Sequence, residues 1–516
     1  MSDMQPMDAH PIPTAENETI PTTSSTTRRE FIKLAALAGT GMSAALAACS
    51  APGPGSSGGT ITLKHWDWFV AENDWFVKEI ELFQQANPDI KIKRTVQVWD
   101  KYPDLLNFAV KGNNMPDIYQ IPYNPVFEDQ VKQKWLYPLS SFSDFPDFVK
   151  TYPKPELTFV KGSNISLTTG KTYSAPLQGP SVVIVTWINS KIFKEAGLVD
   201  SKGEVLIPNT LDDMLDYSRT IKKQSGGKYY GHAFAGKTTL QYLWLMDFIP
   251  TSSSNGSLGG LNYHSGQFDF YDNPVYHQSV DWFMKMKSEG HLLPDSNSVD
   301  EETIRFLFSQ DKMGMLFSGT WAVGGWQQKA PDFTQYTVGT QPLIGTTVPR
   351  GAYYTQPGGV TFGISAKGKH QEAAWRWYKW LHGKDAAERW VKLGLGPTAH
   401  PEANREDLIQ NPSMKKIMTM SKELIRVQPS LAVRNPETGK VLPAVIQPDE
   451  VAVVQGTYTS QIKDYMQALK GVQDKKMAAL EQAVKDAIRG GARVSLDDWK
   501  FPDWDPTKDY ITRPNS

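Results

Sequence analysis

The stretch that decides the fold is TITLKHWDWFVAENDWFVKEIELFQQANPDIKIK, residues 60–93. Alternating apolar and polar residues predict one strand over 60–65 and another over 88–93. Apolar residues at helical spacing predict a helix over 74–85. The positions that mark this helix are Val77, Ile80 and Phe83. Because a helix between two strands usually connects parallel neighbours, the stretch predicts an α/β fold.

Later segments continue this alternation of strands and helices. Val182–Val185 is an apolar run typical of a buried strand, and Thr210 precedes a helix as an N-cap, with Asp213 three residues later. Two further helices are marked by the apolar positions Met414, Ile417, Met418, Leu424 and Ile425, and by Met477, Leu480, Val484 and Ile488. Prolines within 429–448 predict a long ordered loop between these helices.

Composition excludes several classes of protein. The 516 residues carry a net charge of −1, which argues against a nucleic-acid binder, and they are 40% hydrophobic, enough for a large core. A single cysteine excludes an internal disulfide framework, and the nine histidines are scattered, so we expect no metal site and no cofactor. No uncharged apolar run reaches the roughly 20 residues that span a bilayer.

The N-terminal segment has the features of an export signal. Arg28 and Arg29 precede an uncharged stretch over 34–48, an order that resembles a twin-arginine signal. The stretch ends in Leu-Ala-Ala followed by Cys49, which resembles a bacterial lipobox with Cys49 as the acylated residue. We therefore predict a signal peptide over 1–48 and a flexible Gly- and Ser-rich tether over 49–59. The alternative is a short buried helix beside a chance arginine pair.

Two phosphate-binding patterns occur in unsuitable contexts. The glycines of 53–58 match a dinucleotide-binding pattern, but they lie before a strand and not after one. Residues 231–238 match a P-loop ending in Lys237 and Thr238, but 233–235 is better interpreted as a short strand. Nucleotide binding through Lys237 stays open only as a minor alternative.

Several segments stand in a characteristic order along the chain. They are 60–69, 83–92, 111–118, 170–176, 187–198, 208–214, 308–321, 357–360, 373–381 and 394–397. Together they resemble the sugar-binding extracellular solute-binding proteins of ABC importers, the family that includes maltose-binding protein. The chain departs from the family pattern at Trp187, where the family usually has Tyr, and at Leu211, where it has Trp.

This resemblance implies two α/β lobes with a ligand cleft between them. The lobes implied by segment matching are 60–177 with 361–400, and 178–360 with 401–516; the insertions are 242–272 and 429–451. It also implies a monomeric, lipid-anchored receptor outside the cytoplasm that does no chemistry. The receptor would deliver a carbohydrate to the permease subunits of an ABC transporter, and the aromatic content favours an oligosaccharide.

Aromatic side chains are the main candidates for binding. A sugar offers flat C–H faces that rings cover, and hydroxyl groups that polar side chains bond. The candidate ligand contacts are Trp66, Asp67, Trp68, Asp117, Tyr123, Gln178, Trp321, Trp326, Tyr354, Gly358 and Gly359. The alternatives are a core position for each tryptophan, a capping role for Asp117 and a hinge role for the glycines. We expect core positions for Trp187, Trp375, Trp377 and Trp380, whereas Trp99 and Trp244 stay undecided.

A different class of function shares the aromatic cleft. Exported carbohydrate-degrading enzymes also bind sugars with rings, and most need two carboxyl groups about 5–10 Å apart. No residue of this chain is predicted to be catalytic.

Overall fold

The computed structural model describes residues 60–99, 101–122, 124–251, 259–340, 353–355, 359 and 361–512. The side chains of 156, 157 and 353–355 are not among the described groups. The signal segment, Cys49 and the tether lie outside these ranges, as do Tyr123 and Gly358.

The described chain alternates strands and helices. The strands are β1 (Ile61–Asp67), β2 (Ile90–Val96), β3 (Ile118–Gln120), β4 (Ile184–Asn189), β5 (Leu261–Asn262), β6 (Gln267–Phe268), β7 (Met315–Gly319), β8 (Tyr336–Gly339), β9 (Tyr353–Thr355), β10 (Phe362–Ile364) and β11 (Ile425–Val427). The first helices are α1 (Asn73–Ala86), α2 (Tyr102–Lys111), α3 (Phe127–Lys132), α4 (Phe145–Lys150), α5 (Pro155–Thr158), α6 (Ser190–Glu195), α7 (Leu211–Gln224), α8 (Leu240–Met246) and α9 (Phe248–Thr251).

The remaining helices follow the hairpin β5–β6. They are α10 (Pro274–Ser288), α11 (Glu301–Ser309), α12 (Ala322–Lys329), α13 (Gln371–Leu381), α14 (Lys384–Lys392), α15 (Pro412–Leu424), α16 (Leu431–Arg434), α17 (Glu450–Tyr458) and α18 (Tyr465–Arg489). Short 3₁₀ helices occupy Leu139–Ser141, Ser296–Ser298, Pro401–Ala403, Glu406–Leu408, Pro436–Lys440 and Leu496–Trp499. In the described ranges no helix is both long and apolar enough to cross a membrane.

The first sheet confirms the predicted β–α–β unit. Its strand order is β10-β3-β1-β2, and β1 runs parallel to both β2 and β3. Strand β10 closes the sheet in the antiparallel direction, with Phe362 opposite Gln120. The first sheet therefore combines three strands from the first 120 residues with one strand, β10, from much later in the chain. The chain leaves this sheet after β3 and returns to it at β10.

The second sheet is antiparallel. Its order is β7-β4-β8, so the central strand β4 is bonded to β7 and to β8. The predicted strand Val182–Val185 is displaced, since β4 begins at Ile184 and extends to Asn189. One continuous core cluster includes Leu63 from the first sheet and both Trp187 and Leu316 from the second.

Helix α1 confirms the predicted helix; of its marking positions Phe83 is buried and Ile80 packs against the core, whereas Val77 lies outside it. Trp75, Phe76, Glu79 and Phe83 are buried, whereas Val77 is exposed. The spacing of Trp75, Glu79 and Phe83 gives a continuous face in which the Glu79 carboxylate is bonded by Arg389 from α14 and by Trp380. Glu79 is thus part of the buried face of α1 although it is charged, so a search for apolar residues at helical spacing does not find it.

Other local predictions agree with the structure. Thr210 and Asp213 form a capping box at the start of α7. Helices α15 and α18 cover both predicted late helices. The short strand predicted over 233–235 is wrong, because the N–H of Ala235 bonds the Gln241 side chain and not a neighbouring strand.

The two segments indicated as insertions meet in a separate small cluster. Leu261 and Tyr263 from the β5–β6 region pack there with Val441, with Leu480 of α18 and with Trp504 of the C-terminal tail. This cluster is separate from the core clusters that contain the two main sheets, and it packs the C-terminal segment against the β5–β6 hairpin.

Candidate functional site

The carboxyl end of β1 separates its side chains onto two faces. Trp66 and Trp68 are half-buried and pack against the cluster formed by Tyr102 and Tyr119, whereas Asp67 is fully buried on the opposite face. The predicted separation of the two rings from Asp67 is therefore confirmed. In open α/β sheets, ligands bind beyond the carboxyl ends of parallel strands, which makes this end a candidate binding edge.

Asp67 anchors that edge and does not reach solvent. Its carboxylate accepts hydrogen bonds from Arg94 Nε at 2.7 Å and Nη2 at 2.6 Å, and from the N–H of Phe69 at 2.8 Å. Burial raises the pKa of Asp67, and the bonded Arg94 guanidinium offsets only part of that rise. With these close partners supplied by the protein, Asp67 is a structural anchor of the β1 end, and its ligand contact stays a prediction.

The ring of Trp68 is held by polar groups on the neighbouring strand. Gln120, at the end of β3, accepts the backbone N–H of Trp68 at 3.0 Å. The Tyr102 hydroxyl donates to the carbonyl of Gln120 at 2.9 Å, and its ring meets Trp68 edge to face at 4.9 Å between centroids. These contacts set the orientation of Trp68 before any ligand arrives.

The second candidate edge lies at the end of β7. Trp321 is 37% exposed, and its ring lies directly over Gly319, where an added Cβ would stand 2.2–2.3 Å from three ring atoms. Trp244 of α8 supports the ring from behind at 6.4 Å between centroids. A side chain at position 319 would therefore displace the ring, and about a third of the Trp321 residue is exposed.

The two edges meet close to Trp321. A Cβ added to Gly324 would be 3.1 Å from Ala71, and Gln328 Nε2 donates to the Ala71 carbonyl at 3.2 Å. Gly324 is one helical turn from Trp321 in α12, and Ala71 is three residues from Trp68. The contact between the loop after β1 and helix α12 thus brings the exposed indole and the β1 edge to the same region.

One largely buried glutamate lies near each of the two strand ends. Glu72, next to Ala71, is 7% exposed, and burial raises its pKa to about 7. Glu301, at the start of α11, has a pKa that burial also raises to about 7, with Gln241 and Ser318 close to its carboxyl group. Glu301 is paired with Arg305 Nη1 at 3.1 Å, so the two glutamates differ in their partners.

Trp326 and Asp117 have structural positions. Trp326 is 2% exposed, packs edge to face on Trp187 and donates its indole N–H to the carbonyl of Arg305 at 3.0 Å. Asp117 accepts the backbone N–H of Lys64 at 2.8 Å, just before the amino end of β3 and opposite the middle of β1. Each side chain thus has a role in the fold, and the two ligand contacts stay predictions.

The remaining candidates lie at the crossing segments. Gln178 is exposed and pairs with Thr398, and the Gly359 carbonyl accepts from Asn164 at 3.3 Å. A Cβ on Gly359 would come within 2.7 Å of Pro176, so its lack of a side chain serves close packing of the crossovers. The backbone of Tyr354 pairs with Arg426 in β11.

Neither metal nor phosphate chemistry is favoured. Within the described ranges, no three His, Cys, Asp or Glu side chains are placed to share an ion. Lys237 is exposed and lies 3.9 Å from Asp300, while a Cβ at Gly236 would collide with Asn297. The loop over 231–238 therefore packs against its own neighbours instead of forming an open cradle.

Sequence reasoning missed the polar residues around the rings. Glu72, Gln120 and Glu301 carry no motif, but Gln120 and Glu72 follow the strands β3 and β1, a position that the carboxyl-end rule could have indicated. Trp244 is buried and supports Trp321, and Trp99 is 41% exposed beyond the end of β2. Trp187, Trp375 and Trp377 are in the core, as predicted.

Known proteins share this architecture. A binding protein of Brucella abortus is 23% identical over 361 residues, which cover 68% of this chain and 79% of the relative. The GacH receptor of Streptomyces glaucescens, studied with acarbose, is 17% identical with a TM-score of 0.57 over 84% of this chain and 98% of its own. The maltotriose-bound maltodextrin-binding domain of Bdellovibrio bacteriovorus is 17% identical with a TM-score of 0.56 over 83% and 99%.

These likenesses confirm the expected two-lobed α/β fold. The family model for bacterial extracellular solute-binding proteins matches residues 70–388, which is more than half of the chain and includes the β7 edge with Trp321. The chain belongs to the family of bacterial extracellular solute-binding proteins.

Proposed function

We propose that this chain is the carbohydrate-capturing receptor of an ABC importer. The observation that carries the proposal is Trp321, a 37% exposed indole seated over Gly319 beside the contact between the two edges. An exposed ring covers the C–H face of a sugar. Sugar ligands named for structurally similar solute-binding proteins, acarbose and maltotriose, support the same class of ligand.

In this proposal Trp66, Trp68 and Trp321 contact the ligand, and the lobes divide as 60–177 with 361–400 and 178–360 with 401–516. Closure of the lobes is a hinge movement that buries the sugar. The other proposed ligand contacts have less support from the structure. They are Gln178, Gly358, Gly359, Tyr123 and Tyr354.

Titration calorimetry tests the proposal with maltotriose, acarbose, raffinose and xylotriose. We expect at least one to bind, and Trp321→Ala to weaken it by about 1–3 kcal/mol, since a stacked ring is lost. Phe108→Ala removes a 68% exposed ring on the outer face of α2 and is the matched control. A folded protein that ignores all four sugars contradicts the proposal.

We further propose that Cys49 is acylated after twin-arginine export and anchors the receptor outside the cytoplasm, as a monomer beside its permease. Stable anchoring needs more than one acyl chain. Cys49→Ser is expected to move the protein from the membrane fraction to the soluble fraction. Lys in place of both Arg28 and Arg29 is expected to keep it inside the cell.

The chain is proposed to bind without catalysis. Overnight incubation with the four sugars, followed by product analysis, checks this directly. Turnover that a single Asp or Glu substitution abolishes would instead favour the hydrolase alternative.

A further inference from the structure

The loop that follows strand β2 carries an exposed indole beyond the end of the first sheet. Trp99 is 41% exposed, and its neighbour Val98 is 67% exposed. Trp99 belongs to none of the core clusters formed by the described residues. A large exposed apolar group is informative where it lies next to a binding edge, because a ligand that covers it removes apolar surface from water.

The pairing of β1 with β2 brings Trp99 close to the rings of β1. The two strands run parallel with Trp66 opposite Thr95, and the N–H of Gln97 donates to the Asp67 carbonyl at 2.7 Å. Backbone pairing thus continues past the end of β2, to a point two residues before Trp99. Because neighbouring strands are about 4.8 Å apart, the loop with Trp99 begins one strand spacing from the end of β1.

Tyr102 links Trp99 to the ring of Trp68. The N–H of Tyr102 donates to the Trp99 carbonyl at 3.3 Å, which fixes the turn into helix α2. The Tyr102 ring meets Trp68 edge to face at 4.9 Å between centroids, and its hydroxyl donates to the Trp66 carbonyl at 3.2 Å. One buried tyrosine therefore contacts Trp68 with its side chain and Trp99 with its backbone.

Strand β2 is the outer strand of the first sheet. The strand order is β10-β3-β1-β2, so no strand of the described residues pairs with the outer side of β2. Along the carboxyl ends of the parallel strands, Gln120 of β3 comes first, Trp66 and Trp68 of β1 follow, and Trp99 after β2 is the last. Trp99 therefore extends the row of aromatic side chains toward the outside of the sheet.

We propose that Trp99 forms an outer subsite, in which its ring covers a further sugar unit of an oligosaccharide bound at Trp66 and Trp68. The proposal rests on the proposed function and deepens it, because an outer subsite selects a ligand by its length. A stacked ring covers the C–H face of a sugar, so an exposed indole is sufficient for the contact. A disaccharide occupies the inner rings alone, and a longer oligosaccharide also covers Trp99.

Titration calorimetry of the purified protein tests the subsite with three sugar series of increasing length. They are maltose to maltotetraose, xylobiose to xylotetraose, and sucrose with raffinose and stachyose. In the series that binds, we expect the longer members to bind more tightly than the disaccharide. Trp99→Ala is expected to weaken binding of the longest member about five-fold and that of the disaccharide less than about two-fold, because only the outer ring contact is lost.

Two variants serve as controls. Trp99→Phe keeps a ring at the position and is expected to retain most of the dependence on length. Phe108→Ala removes a 68% exposed ring from α2 and is expected to leave every affinity unchanged. Thermal unfolding of Trp99→Ala is expected to match that of the unchanged protein, because the residue lies outside the core clusters.

Several results overturn the proposal. An affinity of the unchanged protein that does not depend on sugar length, or an equal loss at every length in Trp99→Ala, means that Trp99 forms no separate outer subsite. Unchanged affinities in Trp99→Ala mean that the ring does not contact the ligand, and slower sugar uptake by cells with this variant would assign it to the permease. If no member of the three series binds the unchanged protein, the outer subsite fails; the proposed function fails with it only if acarbose does not bind either.

Discussion

The ends of β1 and β7 each have a tryptophan and a carboxylate–arginine pair nearby, but the two pairs are built differently. Near the β1 end, Asp67 is bonded on both oxygens by Arg94 of the neighbouring strand β2. Near the β7 end, Glu301 is paired with Arg305 of its own helix α11. The first pair therefore joins two strands of a sheet, whereas the second lies within one helix.

The largest expected effect comes from breaking the paired charge at the β1 end. Arg94→Leu leaves Asp67 buried without its cation, and we expect the free energy of unfolding to fall by about 3–5 kcal/mol. Urea denaturation measures it. The exposed pair of Lys78 with Glu81 is the control, because Lys78→Ala is expected to cost less than about 1 kcal/mol. If Arg94→Leu and Lys78→Ala lower the free energy of unfolding equally, the buried pair contributes no more than the exposed one.

The pH dependence of stability sharpens the comparison at the β7 end. The pKa of Glu301 rises from 4.5 to about 7 on folding, so its contribution is fully present below pH 4.5 and is lost as the pH rises to 7. Glu301→Gln is expected to remove this loss, which amounts to at most about 3 kcal/mol. Urea unfolding at pH 5, 6, 7 and 8 checks it.

Glu302 is the control for that experiment. Its pKa is lowered, with burial opposed by Arg305 and by Lys329 at 2.9 Å. A lowered pKa contributes stability above pH 4.5, the opposite sign, so Glu302→Gln is expected to lower stability at neutral pH. The same pH profile for both variants would contradict the assigned environments.

Gly319 tests whether the Trp321 ring position matters for binding. Gly319→Ala places a Cβ within 2.3 Å of the indole, so the ring has to move. We expect the affinity for the bound sugar to fall about ten-fold, or about 1.4 kcal/mol, measured by calorimetry. An affinity equal to that of the unchanged chain would remove the ring from the site.

The smallest effect belongs to Gly325, six residues further along. A Cβ there meets nothing within 4 Å, and the residue lies inside helix α12. Gly325→Ala is therefore expected to leave sugar affinity unchanged and to raise the free energy of unfolding by about 0.5–1 kcal/mol. Thermal unfolding measures this gain in stability. Weaker sugar binding by the variant would contradict the expectation and would mean that the substitution distorts α12.

Local patterns in the sequence predicted the fold well where a signal lies in neighbouring residues. The alternation in 60–65 and 88–93 corresponds to β1 and β2, and Thr210 caps α7 as its side chain dictates. Trp321 was predicted as a ligand contact because the resemblance to the family implies a stacking ring at that position. Val77 marked the helix correctly but is exposed, because periodicity alone does not tell which side of a helix meets the sheet.

The sequence by itself determined the α/β class, the family and the exposed-ring candidates, since these depend on local spacing and on the order of segments. Only the tertiary structure decided that Asp67, Asp117 and Trp326 complete the fold, because their partners lie on other strands and helices. Burial and pairing are properties of the whole packed chain, and no short stretch contains them.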